Sequence, residues 1–564
     1  MNMIDAVRKQ MEERNIDYLM LVDSDPHFSE YVNEYYKFRS LVSGFTGSNG
    51  TLILGKNDGY LFTDGRYFIQ AENQLKGTGI SLMKLGIEGY PTLIQFLDSL
   101  SKNGMKIAAL EDCISISMYE KLPIDYLDSD YSIIFNAYKE AYGKEYPNII
   151  FDEFIEELPL EIAGESRESK ISKIRNSLDK LEADLYISST LEDNMWLLNI
   201  RGRAIPCNPV SICYLTISKD SVDLYLLGNN DFKLSNVNIH TYDSFKEYLK
   251  ITDSNTKIVL EKSSFSAGNI EILKKRNVKI IDSDLNIKLM KSIKNETEIE
   301  NIRKYYYKDN EIVTRFINEL NDIDFNEYNE YDLAMKLDNM RKSDPDCFDI
   351  SFDTISASGP NGAMMHYQAS FDKNSKILNN SLYLFDSGGQ WKGATTDITR
   401  TILVGEATYE MKHDYTRVVR GLLNLSNAVF MEGCTGINLD ILAREPMWEE
   451  GDDYKCGTGH GIGYILSVHE GPNAIRWKSN PSDAILKPGM IMSCEPGIYK
   501  EGKYGIRIEN ILLVKEKCKT NDGVFLCFET LTYVPLDMKL ILLDEMNNKE
   551  IKWLEEYNMK CNNH

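Results

Sequence analysis

The sequence predicts an α/β chain with α+β character, built from two similar N-terminal α/β domains and a different C-terminal domain. Strand patterns alternate with helical patterns through the first half of the chain. The order helix, apolar strand, glycine-bearing excursion and further strands starts near Met3 and starts again near Ser166, which indicates a duplicated fold. We therefore expect domains at residues 1–160, 161–293 and 294–564.

The two N-terminal units begin in the same way. In the first, a helical pattern from Met3 to Arg14 precedes the apolar run 16–22, and in the second a helix at 170–178 precedes the strand pattern 183–188. The glycine-rich stretch 43–50, SGFTGSNG, is not a phosphate-binding loop because no GK[ST] follows it. These units are expected to frame a site rather than to supply its chemistry.

The bulk composition excludes some partners and indicates a compartment. Lys and Arg total 63 against 86 acidic residues, so the formal net charge is -23, and such a chain repels nucleic acid and anionic membranes. Ten scattered cysteines form no CxxC pair, which favours a reducing compartment. The opening residues carry charges throughout and lack the apolar core of a secretory signal. We expect a soluble cytoplasmic protein.

Two acidic residues are placed by a strand–turn–strand pattern in the last third. The apolar run from Ser381 ends on Asp386, a glycine-rich turn follows, and a second β-branched strand opens on Asp397. Two strands folded back in this way can bring both carboxylates together. Such a pair holds a cation, shares a proton or faces solvent, and the two Asp alone leave these alternatives open.

Three further segments favour a metal site. His460 lies among glycines at 457–463, and the apolar run from Pro488 ends on Glu495. Alternation in 505–514, expected as one strand, puts Arg507 and Glu509 on the same face. Burial of four carboxylates and an imidazole is prohibitive unless cations neutralise them, so these side chains make a good two-metal ligand set.

The chain resembles a known family at these residues. The order of the five side chains, with the flanking segments DSGGQWKGATTDITRT, SVHEGP and YGIRIEN, resembles the dinuclear metal site of the creatinase/methionine aminopeptidase ("pita-bread") superfamily. The sequence is similar to one branch of this superfamily, the three-domain cytosolic Xaa-Pro aminopeptidases, over nearly the whole chain. The resemblance implies two creatinase-like N-terminal domains and a C-terminal pita-bread catalytic domain. It also implies a homodimer that removes the N-terminal residue from peptides with proline in second position.

The resemblance implies roles for individual residues. The metal ligands would be Asp386, Asp397, His460, Glu495 and Glu509, with Asp397 and Glu509 able to bridge two Mn²⁺. Zn²⁺ and Co²⁺ also suit this ligand set. Two such ions lower the pKa of a shared water, and the resulting hydroxide is the expected nucleophile. Glu495 is the expected general acid/base.

Residues that hold no metal complete the expected site. His366 and His469 match the family's catalytic histidines, which stabilise the tetrahedral intermediate and assist the leaving nitrogen. Arg507 matches an arginine that orients ligands, and Phe352 matches an aromatic position near the proline pocket. Taken singly, each of these side chains could equally be a core, surface or salt-bridge residue.

One position departs from the family pattern. The family commonly has HGTGHG, whereas this chain has Cys456 in place of the first, substrate-side histidine. We expect catalysis to persist because the metal ligands and the other histidines remain. Because a thiol is a weak hydrogen-bond donor, we expect weaker turnover or shifted specificity. Two alternatives stay open: a prolidase-type dipeptidase, and a catalytically weakened pita-bread protein that binds peptides or acts as a scaffold.

Overall fold

The computed structural model describes residues 1–229 and 231–563. The chain forms two compact units. The first contains residues 1–158, 166–206 and 210–286, and the second contains 159–165, 207–209 and the chain from Ile287 onward. Among the described residues, every helix is too short or too polar to cross a membrane.

The first unit contains two six-stranded sheets and a two-stranded ribbon. The strands of the first sheet are β1 (Tyr18–Val22), β2 (Thr51–Gly55), β3 (Gly59–Thr63), β4 (Ser81–Lys84), β5 (Ile107–Leu110) and β6 (Tyr126–Asp128). The ribbon consists of β7 (Asp152–Glu157) and β9 (Ile200–Arg203). The strands of the second sheet are β8 (Leu185–Ser188), β10 (Cys213–Ser218), β11 (Val222–Leu226), β12 (Asn238–Thr241), β13 (Lys257–Leu260) and β14 (Lys279–Asp282).

The two sheets have the same topology. The first has the order β4-β3-β2-β1-β5-β6 and the second the order β12-β11-β10-β8-β13-β14. The strands β1 and β8 occupy equivalent places, since each pairs antiparallel with one neighbour and parallel with the other. This repetition confirms the predicted pair of N-terminal α/β domains. The predicted boundaries between domains stay predictions.

Helices cover these sheets with apolar faces. In α1, for example, Ala6, Val7 and Met11 are buried against the first sheet's core, in the spacing of one helix face. The helices in this part of the chain are α1 (Met3–Glu13), α2 (Phe38–Ser43), α3 (Phe68–Gln74), α4 (Leu93–Lys102), α5 (Ile116–Tyr119), α6 (Ser132–Tyr142), α7 (Leu160–Ala163), α8 (Arg167–Leu181), α9 (Leu191–Leu198), α10 (Ser244–Ile251) and α11 (Ala267–Lys274). Of these, α7 belongs to the second unit.

The second unit combines helices with several small sheets. Its helices are α12 (Ile287–Ser292), α13 (Glu296–Leu320), α14 (Glu330–Lys342), α15 (Tyr409–Ser426), α16 (Asp440–Trp448) and α17 (Asn548–Asn563). Its strands are β15 (Cys347–Ile350), β16 (Ile355–Ser358), β17 (Ser381–Ser387), β18 (Gly389–Trp391), β19 (Ala394–Thr395), β20 (Ile398–Val404), β21 (Val429–Met431), β22 (Gly459–His460), β23 (Ala474–Ile475), β24 (Ile491–Cys494), β25 (Gly497–Lys500), β26 (Tyr504–Arg507), β27 (Asn510–Thr520) and β28 (Gly523–Thr530).

Two sheets of this unit matter most for the site. One has the order β16-β17-β20 and the other the order β21-β28-β27-β24, while β25 and β26 form a separate hairpin. The long helix α15 packs its apolar face, including Val418 and Leu422, into the main core of the unit. Helix α13 begins directly after Asn295, which caps it in a capping box with Glu298.

The expected single strand over 505–514 is wrong, since the chain forms two strands there. β26 pairs with β25 and β27 pairs with β24, so the chain changes sheets between Arg507 and Asn510. The segment paired with it breaks at the same level, between Cys494 and Gly497, where Pro496 has no N–H to donate to a neighbouring strand. Alternation alone does not reveal the change of partner. As a consequence of this change of pairing partner, Glu495 and Glu509 both lie at the break.

Candidate metal centre

The five predicted ligand side chains come together from the ends of five different strands. Asp386 lies near the end of β17, opposite Thr399 of β20, and Asp397 immediately precedes β20. His460 ends the short strand β22. Glu495 and Glu509 lie at the paired break between β24 and β25 and between β26 and β27. The strand patterns that predicted each residue separately therefore converge on one place.

The distances within the cluster are short. Ligand atoms of Asp397, His460 and Glu509 all lie within 4.8 Å of one another. The Nε2 atom of His460 is 3.6 Å from Oδ2 of Asp397 and 3.4 Å from Oε1 of Glu495. Asp386 is tied to the same cluster through Arg507, whose Nη2 donates to its Oδ2 at 2.6 Å.

Close backbone approach makes this convergence possible. A Cβ atom on Gly459 would lie 2.0 Å from the carbonyl oxygen of Ser493, so only glycine lets β22 run directly beside β24. The two segments are joined there by hydrogen bonds: the His460 N–H donates to Oγ of Ser493 at 2.9 Å, and the Glu495 N–H donates to the Thr458 oxygen at 2.8 Å. The glycines around His460 thus bring its ring to Glu495.

The carboxylates raise one another's pKa values. Burial raises the pKa of Asp397 well above its usual range, and the charges of Glu509, Asp386 and Glu495 add to the effect. Burial raises the pKa of Glu509 similarly, with Glu495 and Asp386 contributing. The pKa of Glu495 is raised by burial to about 7, although the charge of Arg507 opposes the shift. In the absence of a cation, this cluster cannot hold its full negative charge at neutral pH.

Two observations show that the cluster fits bound divalent cations. Oδ1 of Asp386 and Oε1 of Glu509 are buried without a hydrogen-bond partner among the described residues, as expected of oxygens reserved for a metal. His460 Nδ1 lies 3.0 Å from the Gly461 carbonyl oxygen, which can only accept. That contact puts the proton on Nδ1 and leaves the Nε2 lone pair directed at the carboxylates, the tautomer that ligates a metal.

A hydrogen-bond network fixes the orientation of the acidic groups. The Thr399 hydroxyl donates to Oε2 of Glu509 at 2.8 Å and accepts from Nε of Arg507 at 3.1 Å. Arg507 also donates through Nη1 to the hydroxyl of Tyr499 at 2.9 Å. Thr401 exchanges hydrogen bonds with the Arg507 backbone. The guanidinium therefore connects β17, β20 and the β25–β26 hairpin.

Sequence reasoning missed these supporting residues. Thr399 and Thr401 occupy alternate positions of β20, a spacing that puts both on one face, and that signal was available. Tyr499 and Ser493 offered none, because their roles depend on the pairing of β25 with β26 and on the approach of β22 to β24. Single-sequence patterns do not specify either contact.

The other predicted residues lie at varying distances from this network. The ring of His469 meets that of His460 edge-on, with centroids 4.3 Å apart. His366 is half-buried in the turn after the 3₁₀ helix Gly359–Ala363, which packs on β26. Phe352 is half-buried in the bend between β15 and β16. Cys456 is half-buried, and its carbonyl accepts a hydrogen bond from the buried Arg444.

A buried ion pair holds the segment that carries His469. The carboxylate of Glu470 binds the ammonium of Lys294, and its Oε2 lies 3.8 Å from Nζ of Lys291. The Glu470 N–H also donates to the carbonyl oxygen of Gly461 at 2.8 Å, next to His460. These contacts link both histidine segments to the start of α13. The two imidazoles are thereby held in a fixed relation.

Fold and site together define a metal-dependent hydrolase with creatinase-like N-terminal domains, and comparison with known proteins identifies its family. Residues 300–516 match metallopeptidase family M24 and 524–564 match the C-terminal region of that family. Residues 3–125 and 150–298 each match the creatinase/prolidase N-terminal domain. The M24 match contains all five of the converging side chains.

Relatives and solved structures agree with these matches. The chain is 35% identical to a probable Xaa-Pro aminopeptidase P of Paracoccidioides brasiliensis, over 98% of this chain and 93% of that protein. It is 35% identical to one of Laccaria bicolor, over 98% and 88%. A crystal structure of X-prolyl aminopeptidase from Caenorhabditis elegans, described as a cytosolic enzyme with a di-nuclear active site, matches with a TM-score of 0.89 and 28% identity over 100% and 95%. The chain therefore belongs to the Xaa-Pro aminopeptidase P group of metallopeptidase family M24.

Metal binding should stabilise the protein in a pH-dependent way. A carboxyl group whose pKa is raised in the folded state binds more protons folded than unfolded, between about pH 4.3, the usual value for Glu, and the folded value of about 7 for Glu495. The stability of metal-free protein should fall as pH rises through that window. Added Mn²⁺ should raise the melting temperature of chelator-treated protein more at pH 8 than at pH 5.5.

Thermal unfolding of one preparation, before and after metal addition, measures this difference. The Asp397→Ala protein is the control and should gain little at either pH. An equal gain by the wild-type protein at both pH values would contradict the view that these carboxylates are the metal-binding groups.

Proposed function

We propose that this chain is a metal-dependent Xaa-Pro aminopeptidase, which removes the N-terminal residue from peptides with proline in second position. The observation that carries the proposal is the convergence of four carboxylates and one imidazole, in which two buried carboxylate oxygens lack a hydrogen-bond partner among the described residues. An X-Pro bond lacks an N–H and has a fixed φ, so general peptidases handle it badly. A dedicated site of this kind answers that requirement.

The comparisons favour an aminopeptidase over a prolidase. The chain matches the C. elegans aminopeptidase over 100% of its length with a TM-score of 0.89. It matches the prolidase of Pyrococcus furiosus over only 64% of its length, with a TM-score of 0.52 and 27% identity. The intact ligand set also argues against a scaffold protein that has lost its metals.

We assign the metal ligands to Asp386, Asp397, His460, Glu495 and Glu509, with Asp397 and Glu509 as the bridging pair. Carboxylates and one imidazole without a thiolate suit Mn²⁺, which we propose as the native metal, while Zn²⁺ and Co²⁺ suit the same set. Two such ions would supply Lewis-acid chemistry, polarising the scissile carbonyl and acidifying water. The remaining steps belong to side chains of this chain.

Glu495 is the proposed general acid/base. Its carboxylate oxygen lies 3.4 Å from Nε2 of His460, within the cluster that would hold the ions, so it can take a proton from the attacking water and return one to the leaving prolyl nitrogen. His469, held against His460, and His366 would donate hydrogen bonds to the oxygen of the tetrahedral intermediate. Arg507 would orient Asp386 and Glu509, the second through Thr399. The substrate's free amine would lie near the acidic groups, and Phe352 would contact proline.

Removal of a bridging carboxylate should abolish hydrolysis. We expect Asp397→Ala to lose measurable release of Xaa from a tripeptide Xaa-Pro-Xaa, because the metal pair would lose a shared ligand. The wild-type protein reconstituted separately with Mn²⁺, Zn²⁺ or Co²⁺ should cleave the tripeptide fastest with Mn²⁺.

Assay of the matching Xaa-Pro dipeptide separates the two enzyme classes. Cleavage of the dipeptide alone would establish a prolidase instead. A metal-replete protein, with two ions per chain by elemental analysis, that cleaves neither peptide would establish the binding or scaffold alternative.

Cys456 is proposed to lie on the substrate side of the site. Its backbone is fixed by Arg444, whose Nη2 donates to the Cys456 oxygen at 2.8 Å. The Cys456 sulfur is near enough to Tyr499 that a negative charge on it would raise the pKa of the tyrosine. The hydroxyl of Tyr499 in turn accepts a hydrogen bond from Arg507. A thiol donates hydrogen bonds weakly and carries no positive charge. An imidazole at this position would offer the substrate a stronger donor.

Replacement of the thiol by imidazole should therefore raise activity. We expect Cys456→His to increase kcat/KM for Xaa-Pro-Xaa by about tenfold, the effect of one hydrogen bond of roughly 1.4 kcal/mol. Cys456→Ala is the matched control and should change kcat/KM by less than about twofold, since a weak donor is lost. No gain for the His variant, with metal content unchanged, would show that this position does not limit turnover.

We propose that the protein is a homodimer. An apolar surface patch in the second unit contains Trp448 and Trp477, 40% and 46% exposed, with ring centroids 6.1 Å apart. Ile437, Ile441 and Ile485 are also exposed in this part of the chain. Exposed apolar patches are typical of interaction sites.

Charges placed in this patch should separate the subunits. We expect the double variant Ile441→Lys/Trp477→Lys to have the mass of one chain by light scattering, whereas wild-type protein has the mass of two. Exposed Phe371, which lies on a separate loop, provides the control substitution Phe371→Lys, which should remain dimeric. A wild-type protein that is monomeric at micromolar concentration would contradict the proposal.

A cytoplasmic location and the three-domain division are also proposals. All ten cysteines are free, as expected in a reducing compartment. The C. elegans protein is described as cytosolic. Joins near residues 160 and 293 are supported by the positions of the matched regions 3–125, 150–298 and 300–516.

A further inference from the structure

One buried carboxylate organises the segment that carries His366. Glu330 is the first residue of α14 and is 0% exposed. Its Oε1 accepts hydrogen bonds from the Ser358 N–H at 2.7 Å and from Nδ2 of Asn361 at 2.9 Å. Its Oε2 accepts from the Tyr367 hydroxyl at 2.7 Å and from the Ser375 N–H at 2.9 Å. All four donor residues belong to residues 358–376, which we call the His366 segment.

The backbone of Glu330 adds further contacts to the same region. Its N–H donates to the Ser375 oxygen at 3.0 Å, and its carbonyl accepts from the hydroxyl of Ser356, which precedes the segment, at 2.6 Å. Asn329 also forms an isolated bridge with Lys376 at the far end of the segment. A stretch with little regular structure is thus fastened at its start, at its middle and at its end to one helix terminus.

The position of Glu330 explains how a buried carboxylate is tolerated. The N-terminus of α14 presents unpaired N–H groups and a partial positive charge, so an acidic side chain is favoured there. Asn329 and Asp332 complete a capping box, which fixes the first turn. Each carboxylate oxygen of Glu330 has at least two donors, so the group is satisfied within the protein and has no need of a cation.

The His366 segment is fixed from the other side by the metal-centre hairpin. The 3₁₀ helix Gly359–Ala363 packs on β26, and a Cβ on Gly505 would lie 1.7 Å from the carbonyl oxygen of Gly362. β26 ends on Arg507, which binds Asp386. The segment is therefore held between α14 and the strand that leads into the cluster. His366 follows the 3₁₀ helix and directly precedes Tyr367, whose hydroxyl Glu330 holds.

We propose that Glu330 is a positioning residue for the reaction: its carboxylate holds the His366 segment so that the His366 imidazole is presented to the substrate. The inference rests on the proposed function, in which His366 binds the tetrahedral intermediate. Glu330 itself touches no reacting atom and acts through Tyr367, Asn361 and the segment backbone. Since misplacement of a catalytic group by about 1 Å can cost about a hundredfold in rate, the effect of its loss should appear in kcat.

The first test replaces the carboxylate by its isosteric amide. Glu330→Gln keeps the shape but puts an NH₂ group where two donors need an acceptor. We expect kcat for Xaa-Pro-Xaa to fall by about ten- to a hundredfold, with KM within about twofold and two metal ions retained per chain. Tyr367→Phe removes one of the donors to Glu330 and should give a smaller fall in kcat. It replaces Glu330→Gln as the test if that variant folds poorly.

Asp338→Asn is the matched control. Asp338 lies on the same helix, is 6% exposed, and accepts from Thr354 rather than from the His366 segment. This variant should leave kcat within about twofold of the wild-type value. An equal loss in both variants would show that any damage to α14 lowers activity, and it would overturn the proposal.

Hydrogen exchange and a double-mutant cycle separate positioning from a merely structural role. In Glu330→Gln, peptides covering 358–376 should exchange faster while those covering β27 are unchanged. In a His366→Ala background, Glu330→Gln should cause no further fall in kcat. Unchanged exchange of 358–376, or a full additional fall in kcat, would overturn the proposal. Wild-type kcat in His366→Ala alone would instead refute the role of His366, and the exchange rates would still decide whether Glu330 holds the segment.

Discussion

The repulsion among buried carboxylates is the constraint on which the catalytic unit depends. Asp397 and Glu509 are almost fully buried, and the charges of Asp386 and Glu495 add to burial in raising the pKa of both. Such a group of charges is unstable in a low-dielectric interior unless cations are bound. The surrounding fold holds these carboxylates in place through the guanidinium of Arg507, the hydroxyls of Thr399 and Thr401, and backbone hydrogen bonds. The metal pair is therefore part of the structure as well as of the chemistry.

Strand breaks are the means by which the fold concentrates these charges. A regular strand sends alternate side chains to opposite faces, so two acids from one hairpin can share a face but rarely point end-on at a common ion. At 495–496 and 508–509 both partner strands leave one sheet and enter another, and Glu495 and Glu509 lie in the gap. His460 reaches the same gap because Gly459 lets its strand approach Ser493. The ligand geometry thus comes from irregular backbone held by regular neighbours.

Local sequence patterns predicted much of this arrangement and failed at specific points. Repetition of the helix–strand order predicted two equivalent sheets. Strand-then-acid patterns identified the residues that converge. Alternation over 505–514 failed, because a change of pairing partner leaves the periodicity of the sequence intact. The hydrogen bonds of Glu330 were equally invisible, since its four donor residues are 28 to 45 positions away.

The contrast among buried carboxylates explains how one fold contains both ligands and structural acids. Glu330 has at least two donors on each oxygen. Glu470 accepts no hydrogen bond on Oε2 among the described residues, but the ammonium groups of Lys294 and Lys291 neutralise its charge. Asp386 and Glu509 each receive a donor on one oxygen, from Arg507 and Thr399, while the other oxygen has none within the part of the chain that the structure describes. The single donor fixes the plane of the carboxylate, and the remaining oxygen is left for a cation. The donors and positive charges that the surrounding protein provides, rather than burial or residue type, thus separate the acids that hold the fold together from those that bind metal.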